Sequence, residues 1–221
     1  MEIQRHTISV YQKELHFFMP KGDDCGIGTL SALSKNEFHL NEIGFQNGDV
    51  FVDIGCNIGL VSLVAAIMFP QIRIFSFDAN PVATECLKLS ILANNINNIE
   101  VFNLAVGAKD EDSAEFLSYS EQETCTIRKE LSNPRDVSYK VKVISLENLM
   151  RNIVGKNVKH LKCDIESGEF DLFDHVFSNC PEILDQIDSL HLEVHPFDDS
   201  NPRSKKLKEM VRNKFKEKIF F

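Results

Sequence analysis

The chain has 221 residues, 43% hydrophobic and 26% charged, enough for one α/β domain with a sizeable core and too few for two comfortable ones. Its formal net charge of −9 argues against a nucleic-acid backbone as partner, because holding phosphates needs a basic field. The first six residues lack the basic-then-apolar pattern of a secretory leader, and the apolar stretch Ile58–Phe69 is shorter than the ~20 residues of a membrane span. A cytoplasmic enzyme or binding protein without a transmembrane segment is therefore expected.

Ile3–Met19 alternates in places and predicts one or two short strands, and helical spacing predicts a helix over Leu30–Ile43, followed by the break Asn47-Gly48. A regular rhythm then begins. Asp49–Ile54 is an apolar run ending at a glycine, Leu60–Met68 a helical run, and Ile72–Phe77 a second strand closed by Asp78-Ala79-Asn80-Pro81. Val82–Asn95 reads as a helix and Glu100–Asn103 as a short strand. Apolar strands alternating with helices signal a parallel sheet covered on both faces.

Lys109–Lys142 breaks the alternation, with Ala114–Tyr119 and Ser138–Val143 as strands around a polar Ser120–Arg135. An insertion there falls near the carboxyl edge of the sheet, where open α/β sheets bind ligands, and it reads equally as a lid or as a surface hairpin. The rhythm resumes with helix Leu146–Ile153, strand His160–Ile165, helix Glu169–Phe177, strand Ser189–Val194 and helix Ser204–Asn213. The expected organisation is N-terminal strands and a helix over 1–43 leading into a binding domain over 44–221, with 109–142 inserted. Glu217–Phe221 reads as the first strand of a closing hairpin, so that the last edge strand is absent or supplied by a partner chain in a homodimer.

Six cysteines, Cys25, Cys56, Cys86, Cys125, Cys163 and Cys180, form no C-x-x-C pair, so neither a zinc site nor a thioredoxin-type pair is indicated. Most lie in apolar runs, where a reduced thiol behaves as a small hydrophobe. The basic residues from Arg203 to Lys218 accompany Leu207, Met210, Val211 and Phe215 on one helical face, so a solvated amphipathic helix explains most of that charge.

Asp53-Ile54-Gly55-Cys56-Asn57-Ile58-Gly59 joins the first strand of the rhythm to its helix. Its glycines permit positive φ and close approach of a ligand, and the helix behind it presents N–H groups and a positive dipole end. The spacing is D-x-G-x-x-x-G, not the G-x-G-x-x-G of dinucleotide enzymes. An acid directly before the loop repels a pyrophosphate and attracts the ammonium of an amino acid. That favours S-adenosylmethionine over NAD. Asp78 ends the next strand about 25 residues on, near the separation at which an acid meets ribose hydroxyls; taken alone it also reads as a helix cap.

Five segments in order resemble the FkbM family of S-adenosylmethionine-dependent methyltransferases, over about Gly44 to Pro196. Val52–Gly59 is similar to D-[IV]-G-A-N-[IV]-G, with Cys56 for the alanine, and Phe77–Pro81 to F-E-P-N-P, with Asp78 for the glutamate. Asn103–Gly107 resembles N-x-A-V-G, Ile144–Leu149 resembles V-x-T-L-D-x-L, and Leu161–Glu169 resembles I-K-I-D-V-E-G-x-E with its glycine one place late. The resemblance implies a Rossmann-like α/β fold, a mostly parallel doubly wound sheet. Asp53, Gly55, Asn57 and Gly59 are implied at the methionine end of the cofactor, Asp78 and Ala79 at the ribose, Leu104 and Ala105 at the adenine, and Asp164 and Glu166 at the methyl group.

The residues give an independent reading of that last pair. Residues two apart in a strand share a face, so Asp164 with Glu166, and Glu193 with His195 on the next strand, are expected to converge at the carboxyl edge. The bland alternative makes each a loop or cap residue. His195 suits a general base, since its ordinary pKa of ~6.5 allows it to take a proton from a hydroxyl. A divalent metal on the same groups is the lesser reading, because the family does not call for one. The expected activity is O-methylation of a small molecule or glycan. An NAD-dependent oxidoreductase and a non-catalytic S-adenosylmethionine-binding module are the rivals.

Overall fold

The computed structural model describes residues 2–22, 25–118, 125–126, 137–195 and 200–221. It begins with an antiparallel hairpin of β1 (Ile3–Val10) and β2 (Lys13–Pro20), turned at Tyr11 and Gln12, both at positive φ as a two-residue hairpin turn requires. Helix α1 (Cys25–Ser34) follows, and then the alternating elements β3 (Val50–Ile54), α2 (Leu60–Met68), β4 (Arg73–Asp78), α3 (Pro81–Ala93) and β5 (Ile99–Asn103). The insertion carries β6 (Ala105–Gly107), β7 (Glu111–Ser118), β8 (Cys125–Thr126) and β9 (Val137–Ser145). The second half holds α4 (Leu146–Asn148), which widens into a π-helical turn over Leu149–Val154, then β10 (Val158–Cys163), α5 (Glu169–Asn179), β11 (Ile187–Leu192), α6 (Pro202–Phe215) and β12 (Ile219–Phe220).

Six strands form one parallel sheet in the order β12-β11-β10-β3-β4-β5. The chain runs outward from β3 in one direction, returns, and continues from β10 in the other. The doubly wound α/β fold expected from the rhythm is thus the observed one, with its switch point between β3 and β10. Alternation along β3 divides the core: Val50, Val52 and Ile54 pack with α5, α6 and the π-turn, whereas Phe51 packs with α2, α3 and the N-terminal hairpin. Side chains of α3 cover the hairpin's free edge. Asn94 accepts from the His16 amide at 2.9 Å, and Ser90 from the Phe18 amide at 3.1 Å.

Several expectations need correction. The helix expected over Leu30–Ile43 ends at Ser34, and left-handed Asn36 and His39 turn the chain, while Phe38, Leu40 and Ile43 are buried one by one from those turns. Apolar spacing there reports burial and not helicity. In its described part the insertion is more than a surface hairpin: β7 and β9 join β6 in a four-stranded sheet whose Phe116, Val141 and Val143 pack on Ala79 and Ala105. The polar Ser120–Arg135 lies outside the described residues, apart from β8, as does Pro196. The terminal strand is short and pairs in parallel with β11. In α6, Leu207, Val211 and Phe215 are buried as the amphipathic pattern predicts, while Arg203 reaches Asp171 at 2.6 Å and Lys214 pairs with Asp185; Lys218, just beyond the helix, pairs with Asp188. Among the described residues no helix is long and apolar enough to cross a membrane.

Candidate active site

Every segment that follows a strand of the β10-β3-β4-β5 block contributes to one cavity at the carboxyl edge of the sheet. Its wall includes Gly55 and Asn57 after β3, Asp78 and Ala79 at the end of β4, Leu104 and Ala105 after β5, and Asp164 and Glu166 after β10. Phe116 of β7 closes the apolar side. Nothing in the motif pattern points to Phe116; the insertion reaches the cavity only because β6 pairs with β9 and β9 with β7.

The loop after β3 is folded onto β4. The Gly55 and Cys56 amides both donate to the Phe77 carbonyl, at 2.9 and 3.0 Å, and the Asn57 amide donates to Asp78 Oδ2 at 2.7 Å. These three amides are therefore engaged within the protein, ahead of the helix whose N–H groups were expected to face a ligand. Gly55 sits at φ 71°, and a Cβ there would stand 1.7 Å from the Asp164 carbonyl oxygen, so two backbones touch where the strands diverge. Gly59, at φ 78°, is packed against Leu87, where a Cβ would approach to 2.3 Å, and it does not line the cavity.

Asp78 holds both ends of this arrangement. Its Oδ1 accepts from the Asn80 amide at 2.7 Å, and Asn103 fixes the turn behind it by donating to the Asp78 and Ala79 carbonyls at 3.0 Å. The helix-cap role weighed for Asp78 belongs to Asn80, whose Oδ1 accepts from Val82 and Ala83. Burial raises the Asp78 carboxyl to about 6, against the lowering effect of its two amide donors.

Asp53 does not face the cavity. It is fully buried on the α2 side of β3, accepting from Ser62 at 2.6 Å, and lies 3.6 Å from the Lys162 ammonium. The register sets Lys162 of β10 directly opposite Asp53 of β3. Lys162 also donates to the Gly55 carbonyl at 3.2 Å and to Asp164 Oδ2 at 3.3 Å. Burial disfavours its charge, but Asp164, Asp53 and Glu193 outweigh that and hold its pKa above the ordinary lysine value. The charge of Asp53 is thus answered inside the protein. A lysine in the middle of the apolar run His160–Ile165 was the available signal for this pair.

The strand expected over His160–Ile165 stops at Cys163, and the one over Ser189–Val194 stops at Leu192, so strand alternation does not bring the acids together. Instead Glu169, at the start of α5, accepts from the Ile165 amide at 2.9 Å and diverts the chain, with Glu166 and Ser167 at φ 51° and 78°. The family's glycine falls at Ser167, and the left-handed backbone persists without it; Gly168 has an ordinary φ of −71° and packs against Ile165. His195 stands amid the acids, its Nδ1 3.4 Å from Glu169 Oε1 and 3.9 Å from Asp164 Oδ1, its Nε2 3.8 Å from Glu166 Oε2. Glu193 turns to His191, with 3.8 Å between Oε1 and Nε2, and is outside the cavity wall.

The electrostatics weigh against the role of base expected of the histidine. Burial works against its charge, but the hydrogen bond to Glu169 and the charges of Glu166 and Asp164 prevail and raise its pKa to about 9. A histidine whose proton is held this firmly is a poorer acceptor for a hydroxyl proton. Burial raises Glu166 to about 7, its neighbouring acids adding to the shift and His195 opposing it, and Asp164 is raised as well.

Comparison with known proteins identifies the family and the fold. The model of the methyltransferase FkbM domain matches residues 53–217. A tRNA (guanine(37)-N(1))-methyltransferase of Encephalitozoon cuniculi is 43% identical over 63 residues, 28% of this chain and 17% of that protein. The probable cobalt-precorrin-6B C(15)-methyltransferase (decarboxylating) of Methanosarcina acetivorans is 34% identical over 62 residues, 28% of this chain and 34% of that one. The chain thus matches only 17% and 34% of the length of these two curated relatives. In fold it is similar to the SAM-dependent methyltransferase of Agrobacterium tumefaciens, at a TM-score of 0.54 and 13% identity, covering 97% of this chain and 57% of that one. With the family model spanning most of its length and the cavity at the switch point of its sheet, the chain belongs to the FkbM methyltransferases, with S-adenosylmethionine as its cofactor.

Proposed function

We propose that the chain methylates a hydroxyl oxygen of a small molecule or glycan, with Glu166 as the group that takes the hydroxyl proton. The observation that carries this reading is the placement of Glu166: it lines the cavity, on a left-handed turn, with its carboxyl raised to about 7. A base poised near the working pH is the efficient one. S-adenosylmethionine supplies an activated methyl group on a sulfonium, so the protein's share is orientation and proton removal.

The cavity residues suit that cofactor. Asp78 offers a carboxylate to ribose hydroxyls while keeping its amide donors, Leu104, Ala105 and Phe116 give an apolar slot for adenine, and Gly55 and Asn57 flank the methionine end. Asp164 faces the sulfonium charge. Asp53 acts at one remove, through Lys162, on the Gly55 carbonyl and on Asp164. Glu166 accepts the proton that the acceptor hydroxyl gives up as its oxygen receives the methyl group, and the His195 imidazolium orients Glu166 and Asp164. Residues 44–221 form the catalytic domain in this reading, with 1–43 packed against it.

One relative acts on tRNA, by its name. For this chain the net charge of −9 and the carboxylates beside the cavity favour an uncharged or cationic acceptor over a polyanion. The test is a screen of hydroxylated acceptors, sugars and nucleic acids by labelled methyl transfer, with S-adenosylhomocysteine as the readout. Turnover on a hydroxylated acceptor, reduced by roughly 10²–10⁴ in Glu166→Gln, is expected. Cofactor binding without turnover on any acceptor would favour a non-catalytic module, and undiminished turnover in Glu166→Gln would remove the proposed base.

A further inference from the structure

We infer that Asp164, Glu169 and His195 form a binding site for one divalent transition-metal cation, of the Mn²⁺ or Zn²⁺ type, beside the cavity. Each residue offers one ligand atom, and the three atoms lie within 4.8 Å of one another. Ligands about 2.0–2.2 Å from a metal stand roughly 3.0–3.6 Å apart around a tetrahedral or octahedral ion. The His195–Glu169 pair, at 3.4 Å, already has that spacing, and the His195–Asp164 pair, at 3.9 Å, is a few tenths of an ångström wider.

A second observation points to a ligand independently of the clustering. Glu169 is fully buried; its Oε1 accepts from the Ile165 amide, whereas its Oε2 has no hydrogen-bond partner. A buried carboxylate oxygen without a partner loses its hydration for nothing in return, and a cation at the cluster would answer it. The oxygens are also held from behind, Asp164 by Lys162 at 3.3 Å and Glu169 by the Ile165 amide at 2.9 Å, as ligating carboxylates commonly are.

One imidazole and two carboxylates, with no thiolate, suit Mn²⁺, Fe²⁺ or Zn²⁺ better than a soft ion. A bound cation would take the place of the His195 proton. Since Asp164 lines the cavity, an open coordination position there would receive an acceptor hydroxyl and lower its pKa; this consequence, unlike the binding itself, rests on the methyl-transfer reading above.

The test uses the whole chain, dialysed against EDTA and titrated with MnCl₂, free Mn²⁺ being followed by electron paramagnetic resonance, and with ZnCl₂ by calorimetry. One site per chain is expected, weakened by more than the about 10- to 100-fold that loss of a mere outer partner costs in Glu169→Gln and in His195→Gln. Pulsed resonance on bound Mn²⁺ should show a nitrogen coupling from His195, a readout that needs no variant to fold. No binding of either ion at millimolar concentration, no nitrogen coupling, or equal affinity in both folded variants would overturn the site and leave an imidazolium held by carboxylates. An S-adenosylmethionine titration of the same samples keeps the two readings apart, because its failure strikes the methyl-transfer reading and leaves the cation result standing.

Discussion

Replacing Lys162 by methionine tests the arrangement beneath the glycine loop. The lysine is buried, 3.6 Å from a fully buried Asp53 and 3.3 Å from Asp164, and it also binds the Gly55 carbonyl. Methionine keeps most of the stem's volume, so the loss is chiefly electrostatic. Removing one partner of a buried ion pair costs about 3–5 kcal/mol, because the other charge stays behind unanswered. Asp53 retains its 2.6 Å bond from Ser62, so the lower end, about 3 kcal/mol, is expected. For a chain of this size that lowers the melting temperature by roughly 6–12 °C. Urea denaturation at constant m-value is the assay, in a cycle with Asp53→Asn. In the Lys162→Met background the second change should cost at least about 1 kcal/mol less than in the wild type. Additive effects, or a Lys162→Met protein within about 1 kcal/mol of wild type, would refute the pairing.

Methyl transfer should decline as pH falls through about 7, because protonated Glu166 accepts no proton, and Glu166→Gln should remove that limb of the pH–rate profile. His195 keeps its proton up to about 9 when folded, against an unfolded value of ~6.5. Its contribution to stability is therefore complete below pH ~6.5 and lost as pH rises through 9, and chemical denaturation of His195→Gln should show a flatter pH dependence in that window. Gly55→Ala puts a methyl group on the Asp164 carbonyl and should cost about 3 kcal/mol or more, with loss of S-adenosylmethionine binding by calorimetry; an unchanged melting temperature would contradict the contact. Ser167→Gly relieves a left-handed serine and should stabilise by about 0.5–1 kcal/mol, read as a rise of roughly 1–4 °C, where a fall would show that the serine side chain contributes more than its backbone costs.

The sequence by itself determined the winding of the sheet and the place of the glycine loop at its carboxyl edge. Leu60–Met68 was delimited residue for residue, since a helix that buries nearly every side chain leaves no ambiguity of face. Gly55, Asn57, Asp78, Ala79, Leu104, Ala105 and Asp164 were legible because each follows a strand within a short motif, and a parallel sheet brings its carboxyl ends to one edge. The tertiary structure decided what depends on neighbours distant in the chain. Asp53 appeared to be a ligand group until the β3–β10 register set Lys162 opposite it. His195 had the pKa of a free histidine until Asp164, Glu166 and Glu169 were seen around it. Phe116 carried no signal at all, because its place in the cavity wall is set by the pairing of the inserted strands. Local spacing fixes which residues follow a strand; only packing fixes the charges and surfaces they meet, and those decide which acid is buried, which histidine keeps its proton and which carboxylate is left to act.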